Sequence, residues 1–299
     1  MHAPASWPLG GMSEPWDVKD KVCAVTGASG GIGKEVARGL AKRGARVVIV
    51  SHSRERATAA VDEIVQTSLN PHVDLVVADL STKAGVRAAA AEIDRRYGQL
   101  RVLINNAGLL IGRHGLTADG IETTFALNHL AYFHLTTLLL DKLKASGPAR
   151  IINTSSMAHA WGRLDWDNLQ GERRYSQWRA YSTSKLANLL FTYELARRLQ
   201  RSLVTVNAVH PGFVRSGFGS TATAPMRLAI RMGWPAAMSP EKGARTTLWA
   251  ATAPELSEVS GTYFARCSAV EPSAAAKDEA AQRRLWELSE RLTGVGSAQ

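Results

Sequence analysis

The most constraining feature of this chain is a glycine-rich turn set between two segments of different periodicity. Residues 21–26 (KVCAVT) form a short apolar run that reads as a buried strand. Gly27-Ala28-Ser29-Gly30-Gly31-Ile32-Gly33 follows. Residues 34–43 then carry Val36, Ala37, Leu40 and Ala41 at helical spacing. Strand, glycine turn and helix in that order are the context a phosphate-binding turn requires. Glycines let the backbone approach a pyrophosphate, and the helix N-terminus offers oriented N–H groups. The spacing, Gly27-x-x-x-Gly31-x-Gly33, differs from the G-x-G-x-x-G form. A plain glycine turn without a ligand remains the competing interpretation.

The same alternation runs on. Residues 46–51 read as a second strand, and 54–67 as a helix closed by Leu69-Asn70-Pro71. Residues 73–78 form a third strand with Asp79-Leu80 at its tip, and Ser81 or Thr82 can cap a helix running to Tyr97. Residues 102–104 make a fourth, ending in Asn105-Asn106-Ala107-Gly108. Further strands are expected at 150–156, 204–209 and 261–264, with helices at 118–144, 181–200, 240–251 and 275–292. This predicts an α/β chain: a single Rossmann domain over residues 19–295, with a doubly wound parallel sheet of about seven strands and helices on both faces. Ligands of such sheets sit beyond the C-terminal strand ends, where Gly27, Asp79 and Asn105 fall. No internal repeat or dividing linker is visible.

The second strand ends in Ser51-His52-Ser53-Arg54, with no carboxylate to bind a ribose 2′-hydroxyl and with a base nearby. That favours a 2′-phosphate, hence NADP(H), with NAD(H) possible. A solvated helix start is the alternative for His52 and Arg54. Within 181–200, Tyr181 and Lys185 are four residues apart and share a helix face. A neighbouring ammonium favours the phenolate and lowers a tyrosine pKa. A phenol tuned in this way can act as general acid/base. Ser155 and Ser156 close the fifth strand, where hydroxyls also serve as turn formers. Asn128 lies in an otherwise apolar stretch and needs partners for its amide.

Charge and cysteine usage exclude several classes. Net charge is +10, and residues 141–250 carry sixteen Lys/Arg against six Asp/Glu, which accounts for all of it. That region suits phosphate, an acidic partner or an anionic surface. It has no unbroken basic run, so no nucleic-acid partner is expected. No 18-residue apolar run exists, so no transmembrane anchor is expected, and residues 1–18 read as a flexible arm rather than a secretory signal. Cys23 and Cys267, placed in different strands, form neither a disulfide framework nor a metal cluster, which fits a reducing cytoplasm. Residues 157–180 and 213–238 carry few periodic signals and read as excursions. Within the second, 226–234 alternates basic and apolar residues, as a lid helix or a membrane-surface element would.

Taken in order, TGASGGIG at 26–33, NNAG at 105–108, Asn128, the serine after strand five, YSTSK at 181–185 and HPG at 210–212 resemble the short-chain dehydrogenases/reductases. The resemblance covers residues 20–293. NLQGE at 168–172, SKLANLLF at 184–191 and RLWELSERLTG at 284–294 resemble its retinol dehydrogenase-like branch. That branch often carries an N-terminal membrane anchor, and none is read here, so a soluble, bacterial-type relative is expected. The likeness implies Ser156, with Ser155 the alternative, as the residue that hydrogen-bonds the substrate oxygen. It implies Tyr181 as acid/base, Lys185 on the nicotinamide ribose and Asn128 in a water-linked proton relay. It further implies a cofactor held by Gly27, Ser29, Gly31, Ile32, Gly33, Ser51, His52, Arg54, Asp79, Leu80, Asn105, Ala107, Gly108, Tyr181, Lys185, Pro211, Gly212 and Val214. Asp79 would face adenine, Asn106 would stabilise the central sheet, and Thr26 would assist. A homodimer or homotetramer is the family expectation.

Two functions follow. The first is an NADP(H)-dependent oxidoreductase moving hydride to or from a small hydrophobic alcohol, aldehyde or ketone. The second is a cofactor-sensing regulator on the same fold without turnover. The complete Asn128, Ser156, Tyr181, Lys185 set favours the enzyme.

Overall fold

The computed structural model describes residues 16–296. Its strands are β1 (Val22–Thr26), β2 (Arg46–Ser51), β3 (Val73–Val77), β4 (Val102–Asn105), β5 (Ala149–Thr154), β6 (Val204–His210), β7 (Tyr263–Ala265) and β8 (Ser268–Ala269). They form one sheet in the order β3-β2-β1-β4-β5-β6-β7-β8. All pairings are parallel except β7 with β8. The eighth strand is the sheet's departure from expectation: a two-residue return turned by Arg266 and Cys267, both at positive φ. Cys267 therefore lies in a turn rather than a strand.

The helices are α1 (Gly31–Ala41), α2 (Arg54–Ser68), α3 (Lys83–Arg96), α4 (Thr123–Phe125), α5 (Ala131–Ala145), α6 (Gln177–Arg198), α7 (Ala224–Met232), α8 (Pro240–Thr252) and α9 (Glu279–Thr293). Strand residues alternate between two cores. Val22 and Ala24 of β1 and Val48 and Val50 of β2 pack on the side of α3 and α5. Cys23, Val25, Val47 and Ile49 pack on the side of α1 and α8. Both faces are covered, which is why these strands read as unbroken apolar runs rather than alternating ones.

Three boundaries differ from the sequence-based expectation. The helix expected over 118–144 starts at Thr123, because residues 117–120 close a turn in which Gly120 N–H donates to Thr117 O and Gly120 sits at φ 72°. The same helix is interrupted by a π-turn, Ala126–Leu130, which carries Asn128. The terminal helix begins at Glu279, where the Asp278 carboxylate accepts from Ala280 and Ala281 N–H. Before it, residues Ala274–Lys277 form a separate 3-10 turn.

The expected N-terminal arm ends sooner than residue 18. Residues 1–15 lie outside the described residues, but Trp16 and Val18 are buried. The Trp16 indole donates to Ala251 O, and the guanidinium groups of Arg150 and Arg101 lie 3.8 and 4.3 Å from its ring centroid. Arg150 is fully buried and donates to Ala250 O and Ala253 O. Cation–π stacking on a desolvated indole, worth up to about 2 kcal/mol, ties this segment beneath the sheet. Among the described residues no helix is long and apolar enough to cross a membrane.

Candidate active site

The sheet order reverses direction between β1 and β4, so their C-terminal loops separate and open a crevice. Thr26, the last residue of β1, holds the two loops in register. Its Oγ1 accepts from the backbone N–H of Asn106 and Ala107 at 2.9 and 3.0 Å. The Asn106 amide donates back to Thr26 O at 3.0 Å. Approach is close enough that a Cβ on Gly27 would stand 2.7 Å from Ala107 Cα, and one on Gly33 would stand 2.5 Å from Gly27 O.

A dinucleotide fits this turn on structural grounds. Gly27 and Gly31 sit at φ 67° and 54°, which L side chains rarely adopt. A Cβ at Gly30 would meet nothing within 4 Å, so the turn leaves an open cradle at the α1 N-terminus. No side chain caps that end of α1, which leaves its first N–H groups for an anion. Ser29 and Ile32 are half-buried in the same turn. Ser51, His52 and Arg54 stand beside it, because Gly27 N–H donates to Val50 O in β2. Ser51 is buried, whereas His52 and Arg54 are exposed, and Ser53 caps α2 by accepting from Arg56 N–H. Asp79 is exposed at the tip of β3, with Oδ1 accepting from Ser81 N–H and Oγ–H. The Leu80 side chain is buried, so only its backbone faces the crevice rim.

On the far side, the loop after β6 folds back on the glycine turn. Ser216 Cβ would lie 3.1 Å from a Cβ on Gly31, and Val214 and Ile32 converge on Gly243 of α8. Pro211 is half-buried there, and Gly212, at φ 90°, lies beneath Met238. Asn105 stands apart from this group. Its side chain is fully buried and donates to Thr136 Oγ1 and Asn153 Oδ1, both at 2.9 Å, so it braces the core instead of lining the crevice.

Tyr181, Ser156, Lys185 and Asn128 come together at the C-terminal end of β5. The two serines are resolved by their partners. Ser155 Oγ–H donates to Lys185 O at 2.8 Å and is buried, whereas the Ser156 hydroxyl is the one that bears on the Tyr181 phenol, favouring its ionised form. Lys185 Nζ donates to Thr154 O at 3.0 Å and lies 5.6 and 5.7 Å from the Tyr132 and Tyr181 ring centroids. Ala107 and Gly108 complete this corner: a Cβ on Gly108 would lie 3.5 Å from Lys185 Nζ and 3.2 Å from Asn128 Oδ1. Asn128 Oδ1 accepts from Leu109 N–H at 2.9 Å, and its amide donates to Leu109 O and to Ser184 Oγ. The backbone carbonyl of Asn128 accepts from Asn188 Nδ2 at 3.0 Å.

The electrostatics run opposite to the sequence-based expectation. Burial pushes the Tyr181 phenol up to about 12, with the hydrogen bond to Ser156 opposing it. Burial pushes the Lys185 ammonium down to about 7. Lys185, 5.7 Å from the ring centroid, is itself desolvated, and for the phenol burial outweighs any attraction from it.

Residues of the two excursions, 157–180 and 213–238, surround the phenol, joined by Leu110, which sequence reasoning did not single out. Tyr181 packs with Leu110, Ala158, Ala222, Phe218, Met226 and Ile230. Phe218 meets it edge-on at 4.8 Å, and Trp178, itself 6.2 Å from Trp161, lies 6.1 Å away. Residues 109–112 pair with 217–222, through Leu110 N–H to Phe218 O and Gly112 N–H to Thr221 O. No local signal announces such a pairing across more than a hundred residues. Helix α7 buries none of its residues, and Leu228 and Met232 are exposed.

Comparison with known proteins follows this geometry. A family model described as short chain dehydrogenase matches residues 21–226. Retinol dehydrogenase 13 of Homo sapiens is 43% identical over 290 residues, spanning 93% of this chain and 86% of that protein. Retinol dehydrogenase 11 of Homo sapiens is 45% identical over 281 residues, spanning 92% and 86%. Among solved structures, an uncharacterised protein from Mycobacterium paratuberculosis superposes with a TM-score of 0.76 at 34% identity, covering 94% of this chain and 96% of that one. The RhlG/NADP active-site complex from Pseudomonas aeruginosa gives 0.68 at 26% identity, covering 85% and 98%.

Proposed function

The chain belongs to the short-chain dehydrogenase/reductase family, oxidoreductases that act on CH–OH/C=O groups with NAD(P), and from that premise we propose that it interconverts a hydrophobic alcohol and its carbonyl using NADP(H), with Tyr181 as the general acid/base. The observation that carries this is the convergence of Ser156, Tyr181 and Lys185 at the end of β5, with the Ser156 hydroxyl bearing on the phenol, Lys185 one helical turn from Tyr181 and its Nζ 5.7 Å from the ring centroid. The nicotinamide would supply or accept the hydride. The Ser156 hydroxyl orients the substrate oxygen toward the Tyr181 phenol. That phenol gives its proton to the oxygen in reduction and takes it back in oxidation. Lys185 Nζ, beside Gly108, would hold the cofactor's ribose. Asn128 would sustain a proton relay behind Lys185.

Preference for NADP(H) rests on the Ser51-His52-Ser53-Arg54 tip: no carboxylate repels a 2′-phosphate, and exposed Arg54 offers a charge-assisted hydrogen bond. A hydrophobic substrate is supported by the apolar lining of Tyr181 from residues 157–180 and 213–238. Two free cysteines, one fully buried, support a cytoplasmic setting, and a dimer or tetramer remains the expected assembly.

The test is an NADPH and NADH oxidation panel with decanal, cyclohexanone and all-trans-retinal, run in reverse with the matching alcohols. Turnover of a hydrophobic carbonyl with higher kcat/KM for NADPH supports the proposal. Equal or better use of NADH would sink the cofactor assignment. Tight cofactor binding without turnover of any probe would favour the regulatory alternative.

A further inference from the structure

We propose that His159 is a positioning residue that fixes the backbone of Ser156 through one neutral tautomer, and that it couples the catalytic corner to the segment preceding α9; this rests on the oxidoreductase function above. The geometry dictates the tautomer. His159 Nδ1 lies 2.7 Å from Ser156 O, a carbonyl that can only accept, so Nδ1 carries the hydrogen. His159 Nε2 lies 3.0 Å from Ser273 N, a backbone group that can only donate, so Nε2 is a bare lone pair. A protonated ring has no lone pair for Ser273. The ring is buried and stands edge-on to Tyr263 of β7 at 5.2 Å and 83°.

The imidazole thus spans two places far apart in sequence, Ser156 after β5 and Ser273 before the Ala274–Lys277 turn. Its neighbour His210, at the end of β6, takes Met157 N–H on its own Nδ1 at 3.4 Å, so the residues following Ser156 are held from two sides. Ser156 Oγ already accepts from Ala158 N–H at 3.2 Å, and its hydroxyl bears on the Tyr181 phenol. A small rotation of the Ser156 backbone would therefore displace the hydroxyl from the phenol. His159 touches no reacting atom; it acts through Ser156.

Amide substitutions separate the two bonds. Asn places its Nδ2 donor near the position of Nδ1, whereas Gln reaches toward Nε2. His159→Asn should keep the Ser156 bond and hold kcat within about threefold of wild type. His159→Gln and His159→Phe should lower kcat tenfold or more, leaving the Ser156 carbonyl with only the His159 backbone N–H at 3.0 Å, with unchanged NADPH affinity. Ser273→Pro removes the N–H together with a buried hydroxyl that makes no hydrogen bond, fits the existing φ of −61°, and should lower kcat roughly two- to tenfold. Equal kcat in all four variants, or equal loss in Asn and Gln, would overturn the proposal. Nitrogen-15 NMR of the histidine-labelled protein gives a readout independent of turnover. A protonated Nδ1 and bare Nε2 support the assignment, and the reverse tautomer overturns it. Wild-type protein that turns over none of the carbonyl probes would reject the oxidoreductase function, while the NMR result would still decide the tautomer.

Discussion

The two walls of the crevice are built from different material. The proposed cofactor wall, from β1, β2 and β4, is mostly backbone: Gly27 and Gly33 at approaches that admit no Cβ and Gly31 at positive φ, with Thr26 and Asn106 locking the loops together. The proposed substrate wall, from 157–180 and 213–238, is side chain: Trp161, Trp178, Phe213, Leu228 and Met232 remain exposed, Leu228 and Met232 on α7 and Trp178 in the first turn of α6. A backbone wall recognises what all nicotinamide dinucleotides share. A side-chain wall can change with the substrate without disturbing the sheet. Tyr181 stands where the two walls meet.

The largest effect should come at that meeting point. Tyr181→Phe keeps the ring that packs on Phe218 and loses only the hydroxyl, so kcat should fall by roughly 10²–10⁴ with cofactor affinity preserved. Near wild-type kcat in the purified variant would remove Tyr181 from the chemistry. Next, the cofactor wall has one side-chain component, at the tip of β2. Ser51→Asp combined with Arg54→Ala should shift kcat/KM from NADPH toward NADH by about ten- to a hundredfold, the worth of a charge-assisted hydrogen bond of roughly 1.5–3 kcal/mol. An unchanged ratio at one fixed salt concentration would place phosphate recognition elsewhere.

Gly31→Val tests the backbone part. A branched residue at φ 54°, with its Cβ 3.1 Å from Ser216 Cβ, should weaken cofactor binding about tenfold, from strain of about 1–2 kcal/mol. Tryptophan fluorescence titration reads this directly, and unaltered affinity would dissolve the contrast between the walls.

The smallest effect is on stability. Burial lowers the Lys185 pKa from 10.5 to about 7, so between those values the unfolded chain holds a proton that the folded one has released. Stability then rises with pH across that window, and the cost of burying Lys185 is greatest below about pH 7. Lys185→Met should accordingly raise the Tm of the cofactor-free protein most at pH 6 and progressively less toward pH 10. A gain independent of pH would mean that Lys185 is not desolvated as the structure has it.

Legibility followed the same division. The strands around the glycine turn were readable because burial on both faces demands unbroken apolar runs, and the glycines because positive φ excludes other residues. The four-residue spacing of Tyr181 and Lys185 was readable because α6 is regular there. The start of the helix carrying Asn128 was not, because Gly120 and a π-turn alter its path without disturbing its apolar pattern. Trp16 was assigned to a loose arm because its partners, Arg101, Arg150 and Ala251, come from three distant segments.

By itself the sequence determined the sheet class and the strand, glycine turn and helix that open it, and it picked out Asn128, Tyr181, Lys185 and the Ser155-Ser156 pair as candidates, since each follows from local periodicity or from an ordered set of motifs. Tertiary structure alone decided which of Ser155 and Ser156 meets the phenol, that Asn105 turns into the core, and that 109–112 pairs with 217–222 to wall Tyr181. It also decided the direction in which Tyr181 and Lys185 are tuned, because desolvation depends on what the whole fold packs around a group and no spacing along the chain records that.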